Sequence, residues 1–154
     1  MQRPVTYFEK PGKANTGECL KIATQAIREH GYRHIVVAST TGETGLAFSE
    51  ALKDLNVNLV VVTHSAGFKA PNTQEMPEDI RQKIILNGAK VYTGTMITHG
   101  LETAFSQKFS GLYPTHIVAQ SLRRFGEGPK VCIECIMMAC DAGLIPEGEE
   151  VIAV

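Results

Sequence analysis

Two valine-rich runs constrain this chain more than any other feature. His34-Ile35-Val36-Val37-Ala38 and Asn58-Leu59-Val60-Val61-Val62-Thr63 are continuously apolar at their centres, as strands buried on both faces are. Between them Phe48, Ala51, Leu52 and Leu55 recur at helical spacing. Strand, helix and strand in that order form a βαβ unit. Its crossover is right-handed almost by rule, so the two strands are expected to be parallel neighbours or near neighbours.

The same alternation runs through the chain. Val5 to Phe8 reads as a short strand, followed by the turn Glu9-Lys10-Pro11-Gly12-Lys13. Asn15 stands three residues before Glu18 in a variant capping box, Cys19, Ile22, Ala23, Ala26, Ile27 and His30 follow at helical spacing, and Gly31 closes that helix. Pro77, Glu78 and Asp79 open a helix with Ile80, Ile84 and Ile85 on its apolar face, ended by Gly88. Ala89 to Thr93 forms a third strand. Leu101, Ala104, Phe105 and Phe109 mark a further helix, Pro114 begins one with Ile117, Val118, Leu122 and Phe125, and Pro129 begins the last, running to Ala142. Glu150 to Val154 reads as a final strand. These patterns predict one α/β domain over residues 1–154, three layers deep, with a mostly parallel sheet and helices on both faces.

A chain of 154 residues with 44% hydrophobic content is long enough to bury such a core. Its net charge of −1 and the lack of any Lys/Arg cluster argue against nucleic-acid and membrane-surface partners. Met1 to Lys10 lacks a signal-peptide apolar region and no run reaches membrane-spanning length, so a cytoplasmic protein is expected. Cys132 and Cys135 have the spacing of half a zinc site, but no second Cys/His pair completes it. No metal is expected, and the cysteines read as small core residues of the last helix.

In parallel sheets ligands bind beyond the carboxyl ends of the strands. That rule gathers the loops 39–45, 64–73 and 94–100, and the loop 9–16 joins them with Lys13 and Asn15. The first loop holds Ser39, Thr40, Thr41, Gly42, Glu43 and Thr44 where a strand passes into a helix. There the unpartnered N–H groups and the helix dipole favour an anion, the hydroxyls add donors, and Gly42 and Gly45 allow close approach to the backbone. The alternative is that the same residues only cap the helix and turn the chain. His64 and His99 fall at this edge, as do Gly67 and Gly100, and the two histidines can bind phosphate when protonated or exchange protons near neutral pH. A loop histidine satisfied by a backbone carbonyl is the competing reading. Phe68 can stack on a ring system or anchor its loop in the core. Lys130 and Glu134, four apart, are explained as an ordinary helix pair.

Several chemistries are excluded. Gly12 and Gly17 have P-loop separation, but Glu18 and Cys19 replace the required Lys-Ser/Thr. G-x-G-x-x-G and G-x-S-x-G are both absent.

Ile35-Val36-Val37-Ala38-Ser39-Thr40-Thr41-Gly42-Glu43-Thr44 resembles the start of the pyruvate kinase C-terminal domain, where a Ser/Thr/Gly loop holds a sugar-phosphate effector. With Tyr7 to Thr16, Thr63 to Phe68, Lys130 to Glu134 and Asp141 to Pro146, the whole chain is similar to a stand-alone family of uncharacterised prokaryotic, largely archaeal proteins of that fold. The resemblance implies a phosphate-accepting loop at 39–44, a phosphorylated ligand such as FMN or a sugar phosphate, and a homo-oligomer. Members of that family continue past the strand ending at Val154 into a Gly-rich turn and a further strand. On this comparison the chain is expected to lack a sheet edge and one wall of the phosphate site. Glu43 is at odds with an anion loop unless its carboxylate points away or caps an amide.

The expectation is therefore a small-molecule binding domain, its phosphorylated ligand on the 39–45 loop and the 64–73 segment closing over it. Two alternatives stand beside it. One is an enzyme acting on such a ligand with His64 or His99 as acid or base, although the sequence offers no orienting partner for either. The other is a structural oligomerisation domain, which leaves the hydroxyls and glycines at one strand end unexplained.

Overall fold

The computed structural model describes residues 4–154. Helix α1 covers Thr16–His30 and leads into strand β1, His34–Ala38. Helix α2 is Glu43–Leu52, β2 is Asn58–Val62, α3 is Glu78–Leu86 and β3 is Lys90–Tyr92. Three helices follow, α4 at Leu101–Phe109, α5 at Pro114–Arg123 and α6 at Glu127–Asp141, before β4 at Val151–Ala153. The four described strands make one parallel sheet in the order β3-β2-β1-β4.

The valine-rich runs occupy its centre, and strand geometry divides their side chains between two cores. Ile35, Val37, Leu59 and Val61 face Ala23 and Ile27 of α1, Phe48 and Leu52 of α2, and Ile84 of α3. Val36, Val60 and Val62 face Cys135, Met138 and Ala139 of α6, together with Met96 and Ile145. The domain is thus a three-layer α/β fold, as the alternating patterns predict.

Several local expectations are corrected. Val5 to Phe8 is not a strand; Val5 and Tyr7 are exposed and the segment pairs with nothing in the sheet. The Asn15 side chain does not cap α1, because its amide donates instead to the Lys10 carbonyl at 2.8 Å, and Glu18 turns to Lys21. Gly31 does end α1, in the left-handed region at φ 71° with its N–H on the Ile27 carbonyl. Helix α6 begins at Glu127, two residues before the proline taken as its start. Leu101, Phe105 and Phe109 do not face the core. Helix α4 packs on α5 and on the 3-10 turn Ile97–His99, outside the layer that α6 lays on the sheet, and the three side chains are exposed. Ala51 and Ile85 are exposed as well.

The two glycines after β1 serve packing. A Cβ on Gly42, whose φ is 90°, would lie 2.5 Å from Ile80 Cγ2, and one on Gly45 would lie 2.6 Å from Val61 Cγ1. They let α2 close onto β2 and α3, so the space where a side chain would stand at each is filled by protein. Gly45→Ala is expected to overpack this contact, at a cost of about 1–3 kcal/mol that outweighs the roughly 1 kcal/mol Ala gains in helix propensity. Urea unfolding checks it: the midpoint should fall, and a rise would show that α2 has room to move.

Candidate functional site

The carboxyl ends of β1, β2 and β3 open on a cleft of about 250 Å³, closed on its far side by α6. From the strand ends come Ser39, Thr40, Thr63, His64 and Met96, and from α6 come Lys130, Glu134 and Cys135. Phe68, His99, Arg123 and Glu127 complete the rim. The chain connects β1, β2 and β3 toward one side and then crosses back to place β4 beside β1. In open parallel sheets ligands bind outside the carboxyl ends of the strands.

Five of the residues singled out from the sequence are brought together here: Ser39, Thr40, His64, Phe68 and His99. The others are not. Thr41 is exposed, Thr44 is half-buried, and Gly42 is sealed by Ile80 and Met76. Gly67 and Gly100 lie outside the lining; the N–H of Gly67 donates to the Thr73 carbonyl, shaping its loop. Glu43 turns away from the cleft into an exposed ion pair with Lys13, which removes both from the wall. Asn15 is held by the Lys10 carbonyl.

The hydroxyl loop does two jobs at once. The buried Ser39 Oγ accepts the Gly45 N–H at 3.0 Å, so it caps the start of α2 as the simpler reading held, while the same side chain lines the cleft. Thr40 Oγ1 lies 3.4 Å from His64 Nε2. On the other side of that ring, His64 Nδ1 is 2.8 Å from Glu75 Oε2. Histidine and carboxylate are only partly exposed, at 36% and 21% of their side-chain surfaces, which keeps the contact from being an ordinary solvated pair.

Phe68 is 48% exposed and does not anchor its loop in the core. It stands between the two histidines, its centroid 4.3 Å from His64 and 5.9 Å from His99. The 64–73 segment is internally hydrogen-bonded, with Phe68 N–H on Ser65 O and Thr73 on Ala70 O. Buried Thr63 and Met76 hold its ends.

The pair Lys130 and Glu134 departs furthest from expectation. It is not a surface pair: the side chains are 2% and 7% exposed, with Lys130 Nζ 2.6 Å from Glu134 Oε2. The other carboxylate oxygen accepts the Thr98 N–H at 2.8 Å and the Thr98 hydroxyl at 2.6 Å. Desolvation pushes the Glu134 carboxyl up, but the hydrogen bonds from Lys130 and Thr98 outweigh it and hold the group below the ordinary value. Burial holds the His99 imidazole below the usual histidine value, and nearby Lys130 adds to this more than Glu134 opposes it. Both effects disfavour the imidazolium at His99. Arg123, the second cation of the lining, is engaged by Glu127 through Nε at 2.7 Å and Nη2 at 3.2 Å.

Among the described residues no group of three or more His, Cys, Asp or Glu side chains is placed to hold a metal ion. Burial pushes the Cys135 thiol up to about 12, with the Glu134 charge adding to the effect, so it stays protonated and inert. No described helix is long and apolar enough to cross a membrane.

The sequence profile of the pyruvate kinase alpha/beta domain matches residues 18–154. The chain belongs to that family. Two solved structures are similar to a lower degree. A pyridoxal 5'-phosphate-dependent aspartate racemase is 18% identical at a TM-score of 0.40, over 91% of this chain and 46% of the racemase. Diaminopropionate ammonia lyase from Escherichia coli is 15% identical at 0.38, over 85% of this chain and 37% of the lyase. The chain spans less than half the length of either.

Removing one partner of the buried pair leaves an uncompensated charge. Lys130→Ala should lower unfolding free energy by about 3–5 kcal/mol, measured by chemical denaturation; a loss within the range of a surface pair would contradict the burial. Because the folded value of Glu134 lies below its ordinary 4.5, its stabilisation is present above that pH and is lost as the pH falls through the folded value. The stability gap between the wild type and Glu134→Gln should therefore be wide at neutral pH and close in acid.

Proposed function

We propose that this domain binds a phosphorylated small molecule in the cleft, with the phosphate at Ser39, Thr40 and the adjoining 41–44 backbone. The carrying observation is the convergence of Ser39 and Thr40 from the end of β1 with His64 from the end of β2, beside an exposed Phe68 ring. Both cations of the lining are already paired, so neutral donors and the α2 N-terminus carry anion recognition. The volume lies near the lower end of ligand pockets, about 300 Å³, which suits a sugar phosphate; for FMN, the ring would extend over Phe68 at the mouth. The Ser39 O–H remains able to donate while its oxygen accepts from Gly45. Lys13 and Asn15, turned elsewhere, take no part in this reading.

Fluorescence titration with FMN and riboflavin, together with displacement by a hexose phosphate, tests it. FMN should bind at least ten-fold more tightly than riboflavin, and Thr40→Val should remove most of that difference. Equal affinity for the two flavins, with no displacement by the sugar phosphate, would contradict a phosphate site at this loop.

Self-association is a second reading, supported by the exposed Leu101, Phe105 and Phe109 of α4 with Leu112 and Ile117 nearby in sequence. Sedimentation should then show an oligomer that Phe105→Glu dissociates. A monomeric wild type would dismiss it.

A further inference from the structure

A catalytic or proton-exchanging histidine needs a third group that fixes its tautomer, and none is visible in the sequence. The fold supplies one for His64. Glu75 comes from the far end of the same loop, eleven residues on, where Met76 beside it is buried in the core. Its Oε2 meets Nδ1 at 2.8 Å, while Nε2 faces Thr40 and the cleft.

We propose that Glu75 is a positioning residue that makes His64 a proton acceptor for a phosphate monoester bound in the cleft. An ionised carboxylate only accepts hydrogen bonds, so the Nδ1 position beside it must carry the proton. Nε2 then presents its lone pair to the cleft, with the Thr40 hydroxyl donating to it when no ligand does. A phosphate monoester has a second ionisation near pH 6, so near neutral pH a fraction of it still carries a P–O–H proton. Its P–O–H proton can pass to Nε2, leaving a dianion and an imidazolium. The Glu75 carboxylate balances the imidazolium, and no other reactant is needed. Groups around the ring fit this exchange: Phe68 covers one side, burial disfavours the charged form of His99 beyond it, and Lys130 and Arg123 are each paired with a glutamate.

The inference rests on the binding reading above, and one set of spectra separates the two. Long-range 1H–15N correlation of the histidine rings at about pH 8 reads the tautomer directly, since histidine is then largely neutral. Without a partner a histidine side chain favours the proton on Nε2. Wild-type His64 is expected to hold it on Nδ1 by at least ten-fold, and Glu75→Ala should reverse the preference, with Glu75→Asp restoring it in part. Amide spectra report whether each variant folds. Inorganic phosphate, added near pH 6.5, should then move the Nε2 resonance along with the 39–44 amides in the wild type.

An Nε2–H tautomer in the wild type, or a tautomer unchanged in Glu75→Ala, overturns the proposal. If phosphate moves the 39–44 amides but leaves His64 untouched, the proton-acceptor role fails while the binding reading survives. If the tautomer is as expected but phosphate moves neither, both the binding reading and the acceptor role fail.

Discussion

Burial of β1 and β2 on both faces is the constraint from which the rest of this structure follows. Two adjacent parallel strands with almost no exposed side chain must be covered above and below, and the connections between parallel strands supply the cover. Helices α1 to α3 take one face and α6 the other. Every βα connection therefore emerges at one edge, where Ser39, Thr63 and Met96 meet. The position of the cleft is a consequence of strand packing before any ligand is considered.

What gives the cleft its chemical character is the buried pair on α6. Lys130 and Glu134 are brought under it because α6 lies across the sheet, and Glu134 ties that helix to the turn after β3 through both donors of Thr98. Ion pairs this deeply buried contribute less to stability than their short contacts suggest, because desolvation offsets the attraction. Their effect here is on surroundings: the burial of His99 and the field of Lys130 both lower the pKa of that imidazole. The site thus presents paired charges, hydroxyls and two histidines in different electrostatic settings.

Much of this architecture was legible. Continuous apolar runs marked the two central strands, and helical spacing with Pro and Gly at the ends marked the helices to within a few residues. The misplaced features share a cause: a local pattern says which face is apolar, but not what lies opposite it. The α4 stripe is apolar yet meets no sheet. Lys130 and Glu134 look like any solvated pair four apart, although their stripe continues to the buried Met138 beside Cys135 and Ala139, which was the available signal. Glu75 left no signal at all, because its meeting with His64 depends on how an irregular loop folds back. Gly42 and Gly45 were readable as special, but whether a ligand or Ile80 and Val61 required them was a tertiary matter.

The central claim is that the carboxyl edge of the sheet takes the phosphate of a small ligand, and a crystal structure of the protein grown with FMN tests it most directly. The account predicts phosphate oxygens within hydrogen-bond distance of Thr40 Oγ1 and the adjoining loop, with the ring against Phe68. FMN density elsewhere on the protein, or an empty cleft at saturating FMN in a lattice that leaves it open, would contradict it.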